Sequence, residues 1–121
     1  MSYEQLCKNV LELDPKIRFT GVLNNHGKLL CDMYRQGIEK LLNSQEIAMS
    51  FHYTLQRREN VSNLAYKIGN EQFSISEYEK TALMYIPLNK KELFLLSIEP
   101  DSNYFEIISK TKSLIKNYSS V

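Results

Sequence analysis

Tryptophan is absent from this 121-residue chain, and glycine, proline, cysteine and histidine are scarce, at four, three, two and two. Each scarcity removes a class of chemistry. The glycines, Gly21, Gly27, Gly37 and Gly69, are scattered, so no Gly-rich loop cradles a phosphate, and no Ser, Cys or Thr stands in a nucleophile elbow or triad context. His26 and His52 belong to no metal-spaced cluster with Cys, Asp or Glu; His26 reads as a turn residue and His52 as a flank of an amphipathic helix, with a proton-sensitive contact as the alternative. Cys7 and Cys31 fall at apolar positions of a predicted helix and strand, where a free cysteine behaves as a small hydrophobe, a redox pair being the alternative. Accordingly no catalytic, cofactor-binding or metal residue is expected, and the chain reads as a non-enzyme.

Long apolar runs are missing too. None approaches the ~18 residues of a membrane span, and the opening MSYEQLCKNV has neither the basic nor the apolar region of a secretory signal. The expectation is a cytoplasmic protein without a membrane role. Neither sign of charge prevails: fifteen Lys and Arg stand against fourteen Asp and Glu, a formal net charge of +1, without long like-charged blocks. No electrostatic drive toward nucleic acid follows from such a balance.

What is present is ordinary for a globular chain. With 43% hydrophobic and 24% charged residues, residues 1–121 make one domain able to bury a core, roughly two thirds of the unfolded surface by size scaling. The organising stretch is 17–33, IRFTGVLNNHGKLLCDM. Ile17, Phe19 and Leu23 recur at even spacing, and Leu29, Cys31 and Met33 alternate with Leu30, Asp32 and Tyr34, which predicts two strands folded about Asn24-Asn25-His26-Gly27. Gly21 leaves a gap in a side-chain row, and a helix is expected to cross there.

Elsewhere the period is helical or the run is apolar throughout. Residues 2–13 predict a helix capped by Ser2 and Gln5, with Tyr3, Leu6, Cys7, Val10 and Leu13 on one face and Pro15 beyond its end. After a bridge over 35–43, in which Ile38, Leu41 and Leu42 turn inward, a second helix starts at Asn43 or Ser44. It buries Ile47, Ala48, Phe51 and Leu55 and leaves Met49, Tyr53 and Gln56 outward. Its stripe restarts out of phase as Val61, Leu64, Ala65 and Ile68, so it either breaks near Asn60 or continues with a second face before Gly69-Asn70. Residues 72–79 predict a half-wet edge strand, whereas 81–87 and 92–98 are apolar on both sides and belong in mid-sheet with helices above and below. A last helix begins at Pro100-Asp101, with Asp101 or Ser102 as cap or an Asn103–Glu106 box, and buries the stripe Tyr104, Ile107, Ile108, Thr111, Leu114, Ile115 and Tyr118; residues 119–121 fray. The fold class is α+β, a five-stranded antiparallel sheet with helices on both faces in the order αββαβββα.

That order, with Gly21-Val22 and Gly27-Lys28 in the first hairpin, resembles the roadblock and profilin-like group over nearly the whole chain. Residues 14–29, DPKIRFTGVLNNHGKL, resemble the opening of a family of uncharacterised small proteins from ammonia-oxidising archaea. The broader resemblance implies the second helix on one face of the sheet and the first and last on the other. It also implies a homodimer or heterodimer in which second helices pair and third strands meet, the joined surface serving small GTPases, motors or scaffolds. The contacts would then be Met49, Tyr53 and Gln56 on the helix and Gln72, Ser74 and Ser76 along the strand edge. Among the eight tyrosines, Tyr53, Tyr66, Tyr78 and Tyr104 are further contact candidates, core edges being the alternative. Arg57-Arg58 with Lys67 read as a solvated helix end, an acidic partner or phosphate being the alternative. The rival function is a small-molecule sensor of the PAS or profilin-like type, which needs a cavity; Phe19, Phe51, Phe94 and Leu96 are expected to fill that space.

Overall fold

A computed structural model describes residues 2–119. Ser2 accepts the backbone N–H of Gln5 at 3.1 Å and starts α1 (Tyr3–Leu11). The helix ends two residues short of the expected Leu13, whose N–H bonds the Val10 carbonyl, and the Arg35 guanidinium collects the Leu11, Asp14 and Ile17 carbonyls at 2.5, 2.9 and 2.7 Å. Orphan carbonyls at the helix end and the turn into the first strand are thereby satisfied by one side chain.

The hairpin forms as β1 (Ile17–Asn24) and β2 (Leu29–Tyr34). Its turn closes because the Asn24 carboxamide oxygen accepts the N–H groups of His26 and Lys28, at 2.9 and 3.0 Å, while Gly27 takes a φ of 80°. Then come α2 (Ser44–Ser62), a short α3 (Ala65–Ile68), β3 (Ser74–Glu77), β4 (Ala82–Pro87), β5 (Glu92–Ile98) and α4 (Tyr104–Ser119). The second helix does not break near Asn60: it runs through it, and the chain turns only between Ser62 and Ala65. The edge strand is shorter than the expected 72–79. Of the expected caps for the last helix, the Asn103–Glu106 box is the one that forms, Asn103 accepting the Glu106 N–H at 3.2 Å; Asp101 instead takes a φ of 60° in the preceding turn, so the helix starts at Tyr104 and not at Pro100-Asp101. Of the expected frayed tail, Ser119 instead closes α4, and Ser120 and Val121 lie outside the described residues.

All neighbours in the sheet are antiparallel, in the order β2-β1-β5-β4-β3, so the two apolar strands lie inside and β2 and β3 form the edges. Two layers cover it. On the back, Leu6 and Val10 of α1 and Ile107 and Ile115 of α4 pack on Val22 and Phe94; on the front, Ile47 and Phe51 of α2 pack on Phe19, Leu23, Leu93 and Leu95. Phe94 and Leu96 therefore belong to the back layer and not to the space under α2.

Two register shifts alter the expected rows. Between Ile17 and Phe19 the pairing to β5 passes over Arg18, and between Val22 and Leu23 the pairing to β2 passes over Leu30. Ile17 consequently joins the back layer while Phe19 and Leu23 join the front, and Leu29 faces front while Cys31 and Met33 face back. Extra residues of this kind interrupt strict alternation. Strand residues and not a helix fill the gap at Gly21: a Cβ there would meet the Phe19 ring at 2.9 Å, Leu29 at 3.1 Å and the Cys31 carbonyl at 3.2 Å.

Candidate interaction surface

A reciprocal cap fixes where α2 starts and hence which residues face outward. Asn43 N–H donates to the Glu46 carboxylate at 3.0 Å, and Glu46 N–H donates to the Asn43 carboxamide at 2.9 Å. With Ile47 and Phe51 seated on the sheet, helical spacing turns Met49, Tyr53 and Gln56 to the other side. Met49 is 59% and Tyr53 71% exposed, and Gln56 is exposed as well. Beside this helix runs the edge strand β3. Ser74 pairs with Tyr85 and Ser76 with Leu83, both front-layer residues, so the two serines share the α2 side of the sheet.

Helix and edge enclose an open cleft of ≈ 300 Å³, walled by Ser50, Tyr53 and Arg57 on one side and Ser76 and Tyr78 on the other, with Tyr85 at its floor. Burial pushes the Tyr85 phenol above its ordinary value, and its hydroxyl shares a hydrogen bond of 2.8 Å with Ser50. Of the expected interface residues, Tyr53 and Ser76 meet in this cleft. Met49 and Gln56 continue the helical face, Ser74 lies further along the strand, and Gln72 precedes β3 with its side-chain amide donating to the Asn70 carbonyl at 3.2 Å. The Tyr85–Ser50 contact carries no sequence signal, because a tyrosine inside an apolar run looks like core.

The cations near the end of α2 are placed differently from expectation. Arg57 and Arg58 lie inside the helix, not at its terminus, and both reach Glu71, at 2.8 and 3.9 Å, while Lys67 stacks 5.9 Å from the Tyr66 ring centroid. Glu71 thus engages both guanidinium groups. Glu77, at the end of the edge strand, is held from the back: the Tyr104 phenol and the Asp101 N–H both donate to it, keeping its carboxyl below the ordinary range. Tyr53, Tyr66 and Tyr78 are exposed, whereas Tyr104 is half-buried in this contact. His26 and His52 are exposed. Among the described residues no group of three or more His, Cys, Asp or Glu gathers to hold a metal, and no helix is long and apolar enough to cross a membrane.

Under α2 and the 35–43 bridge, the front layer leaves a cavity of ≈ 40 Å³ lined by Tyr34, Leu42, Ile47 and Tyr85 among others. About 10–15 Å³ is the least that one water needs, so the space has room for a few waters at most.

Several solved structures share this architecture. The gliding protein MglB from Thermus thermophilus superposes with a TM-score of 0.74 at 11% identity, over 93% of this chain and 82% of that one. An MglB with a tetrameric arrangement gives 0.75 at 12%, over 94% and 82%. The roadblock/LC7 domain from Streptomyces avermitilis gives 0.71 at 9%, over 96% and 93%. Likeness at such identities establishes the fold: an α+β, five-stranded antiparallel sheet of the roadblock/LC7 kind. A comparison with curated proteins returned no match. Residues 1–118 match one family model, and the chain belongs to that family of unknown function, DUF6659.

Proposed function

We propose that this chain is a non-enzymatic dimeric scaffold or regulatory interaction module of an archaeal cytoplasm, folded as one unit over residues 1–121. Two copies pair through the outer face of α2 and the free edge of β3, using Met49, Tyr53, Gln56, Gln72, Ser74 and Ser76. The joined surface receives a protein partner, a small GTPase being the class that the roadblock resemblance implies.

The observation that carries this reading is the combination on one side of the molecule. Met49 and Tyr53 stand more than half exposed on a helix next to a strand whose outer edge has no neighbour in the sheet. Large side chains of this type dominate the buried centres of interfaces, and an open strand edge adds main-chain pairing to their apolar area. An MglB of similar fold has a tetrameric arrangement, which supports association of copies within this fold. Against a sensor role stands the cavity under α2, which holds ≈ 40 Å³ where small-molecule pockets run to roughly 300–1,000 Å³; the ≈ 300 Å³ cleft between α2 and β3 reaches that range but is open to solvent along the surface proposed for pairing.

Light scattering after size exclusion, at low micromolar concentration, tests the pairing. The expected mass is twice that of the chain, falling to the single-chain mass for a Met49→Asp/Tyr53→Asp variant. Phe105→Asp, at an 80% exposed position of α4 on the other side of the sheet, should leave the dimer intact. A wild-type monomer throughout, or a dimer insensitive to the α2 changes, refutes the proposed interface.

A further inference from the structure

Cys7 sits on the buried face of α1 and Cys31 in the back row of β2, and their sulfurs stand 3.2 Å apart. The proposed pairing surface uses neither. Their approach follows from the register shift at Leu30, since unbroken alternation from Leu29 would turn Cys31 to the front, away from α1. The helix is held against this part of the sheet, because the buried Thr20 hydroxyl donates to the Cys7 carbonyl at 2.9 Å, two residues along β1 from the Val22–Cys31 pair. Both cysteines are free thiols, Cys7 fully buried and Cys31 half-buried. A disulfide bond spans about 2.05 Å, so a shift on the order of 1 Å joins the two sulfurs.

We propose that Cys7 and Cys31 form a dithiol site that a hydroperoxide converts to an intramolecular disulfide, stapling α1 to the edge strand β2. Cys31, the half-buried partner, gives its proton to solvent, and its thiolate attacks a peroxide oxygen. The O–O bond breaks, the remaining oxygen leaves after proton uptake as water from hydrogen peroxide or as an alcohol from an organic hydroperoxide, and Cys31 becomes a sulfenic acid. The Cys7 sulfur then attacks the Cys31 sulfur: the S–S bond forms, the S–O bond breaks, and the hydroxide departs as water with the Cys7 proton. Two thiols are oxidised and one hydroperoxide is reduced; with hydrogen peroxide one water is released at each step. Burial raises both thiols above their ordinary value, so the first step is slow beside that of an exposed cysteine and the site responds to sustained oxidant.

The test treats the intact native chain with millimolar hydrogen peroxide, quenches it under denaturing conditions and counts free thiols by maleimide labelling and intact mass. The expected result is joint loss of both thiols with a mass decrease of two hydrogens, and a Cys7 peptide linked to a Cys31 peptide after digestion. The bridge spans a sequence separation of 24 residues. Its closure raises the thermal midpoint by roughly 10 °C, reversibly with dithiothreitol. In Cys7→Ser, dimedone should trap Cys31 as its sulfenic acid. Retention of both thiols, or oxygenation of Cys31 without a link to Cys7, overturns the proposal, and the wild-type measurement decides it without any variant.

Discussion

Gly27→Ala perturbs the contact between the first hairpin and α2, and two separable terms set its cost. Gly27 has a φ of 80°, where an L side chain costs about 1–2 kcal/mol. An added Cβ would also lie 3.1 Å from Cδ1 of Phe51, a ring only 1% exposed and therefore unable to swing into solvent. Displacing a packed ring adds about 1 kcal/mol, the low end of overpacking costs. Gly37 supplies the control: its φ is 82°, yet nothing lies within 4 Å of a Cβ placed there. Alanine restricts the unfolded chain similarly at both sites, so that contribution cancels in the comparison. Gly27→Ala should therefore lose about 2–3 kcal/mol and Gly37→Ala about 1–2 kcal/mol, a gap near 1 kcal/mol, or about 4 °C in midpoint for a chain of this size. Urea unfolding followed by circular dichroism, at fixed protein concentration because the proposed dimerisation would couple to stability, reads the gap as a change in midpoint with m unaltered. Adding Phe51→Leu to both variants should narrow it. Equal losses at the two glycines would show that the turn and the second helix are not packed as described.

Arg35→Met removes the three carbonyl contacts that close the end of α1 and should cost about 2–3 kcal/mol in denaturant unfolding, with Arg35→Lys recovering little because an ammonium lacks the planar fork. Thr20→Val deletes a fully buried hydroxyl's bond to the Cys7 carbonyl and should cost about 1 kcal/mol by the same assay. The Glu92 carboxyl is held below its ordinary 4.5 by donors from Asn89 and Tyr3, and Glu77 is lowered by Tyr104 and Asp101. A carboxyl depressed in the folded state contributes stability that is complete above the ordinary value and is lost as pH falls through the folded one. Acid unfolding below pH 4.5 should therefore be less steep in a Glu77→Gln/Glu92→Gln variant, and an unchanged slope would contradict these contacts.

Where one pattern dominated a stretch, the fold was legible from residues. The stripe from Tyr104 to Tyr118 and the doubly apolar runs in β4 and β5 have single solutions, a one-sided helix and strands covered on both faces. The hairpin was legible in outline but not in facing, because alternation assumes an unbroken pleat and the extra residues at Arg18 and Leu30 shift Ile17, Cys31 and Met33 to the back. Bulges of this kind have little composition signal when the inserted residue is an arginine or a leucine. The triple contact of Arg35, the convergence of Arg57 and Arg58 on Glu71, and the Tyr85–Ser50 bond all depend on which elements meet, which local spacing does not encode. The outward face of α2 was readable for the opposite reason: a buried stripe on one side of a helix fixes its complement.

The extra residue at Leu30 also bears on how many copies can join. A bulged strand bends and twists away from the regular geometry that a further strand would need, so one edge of the sheet is blunted where β2 lies. The four residues of β3 pair with β4 in unbroken register and leave the other edge regular. A sheet with one usable edge accepts a single neighbour. In the proposed pairing, two such edges meeting about a two-fold axis would consume each other, which would end assembly through strands at a pair of chains with no path to an open filament.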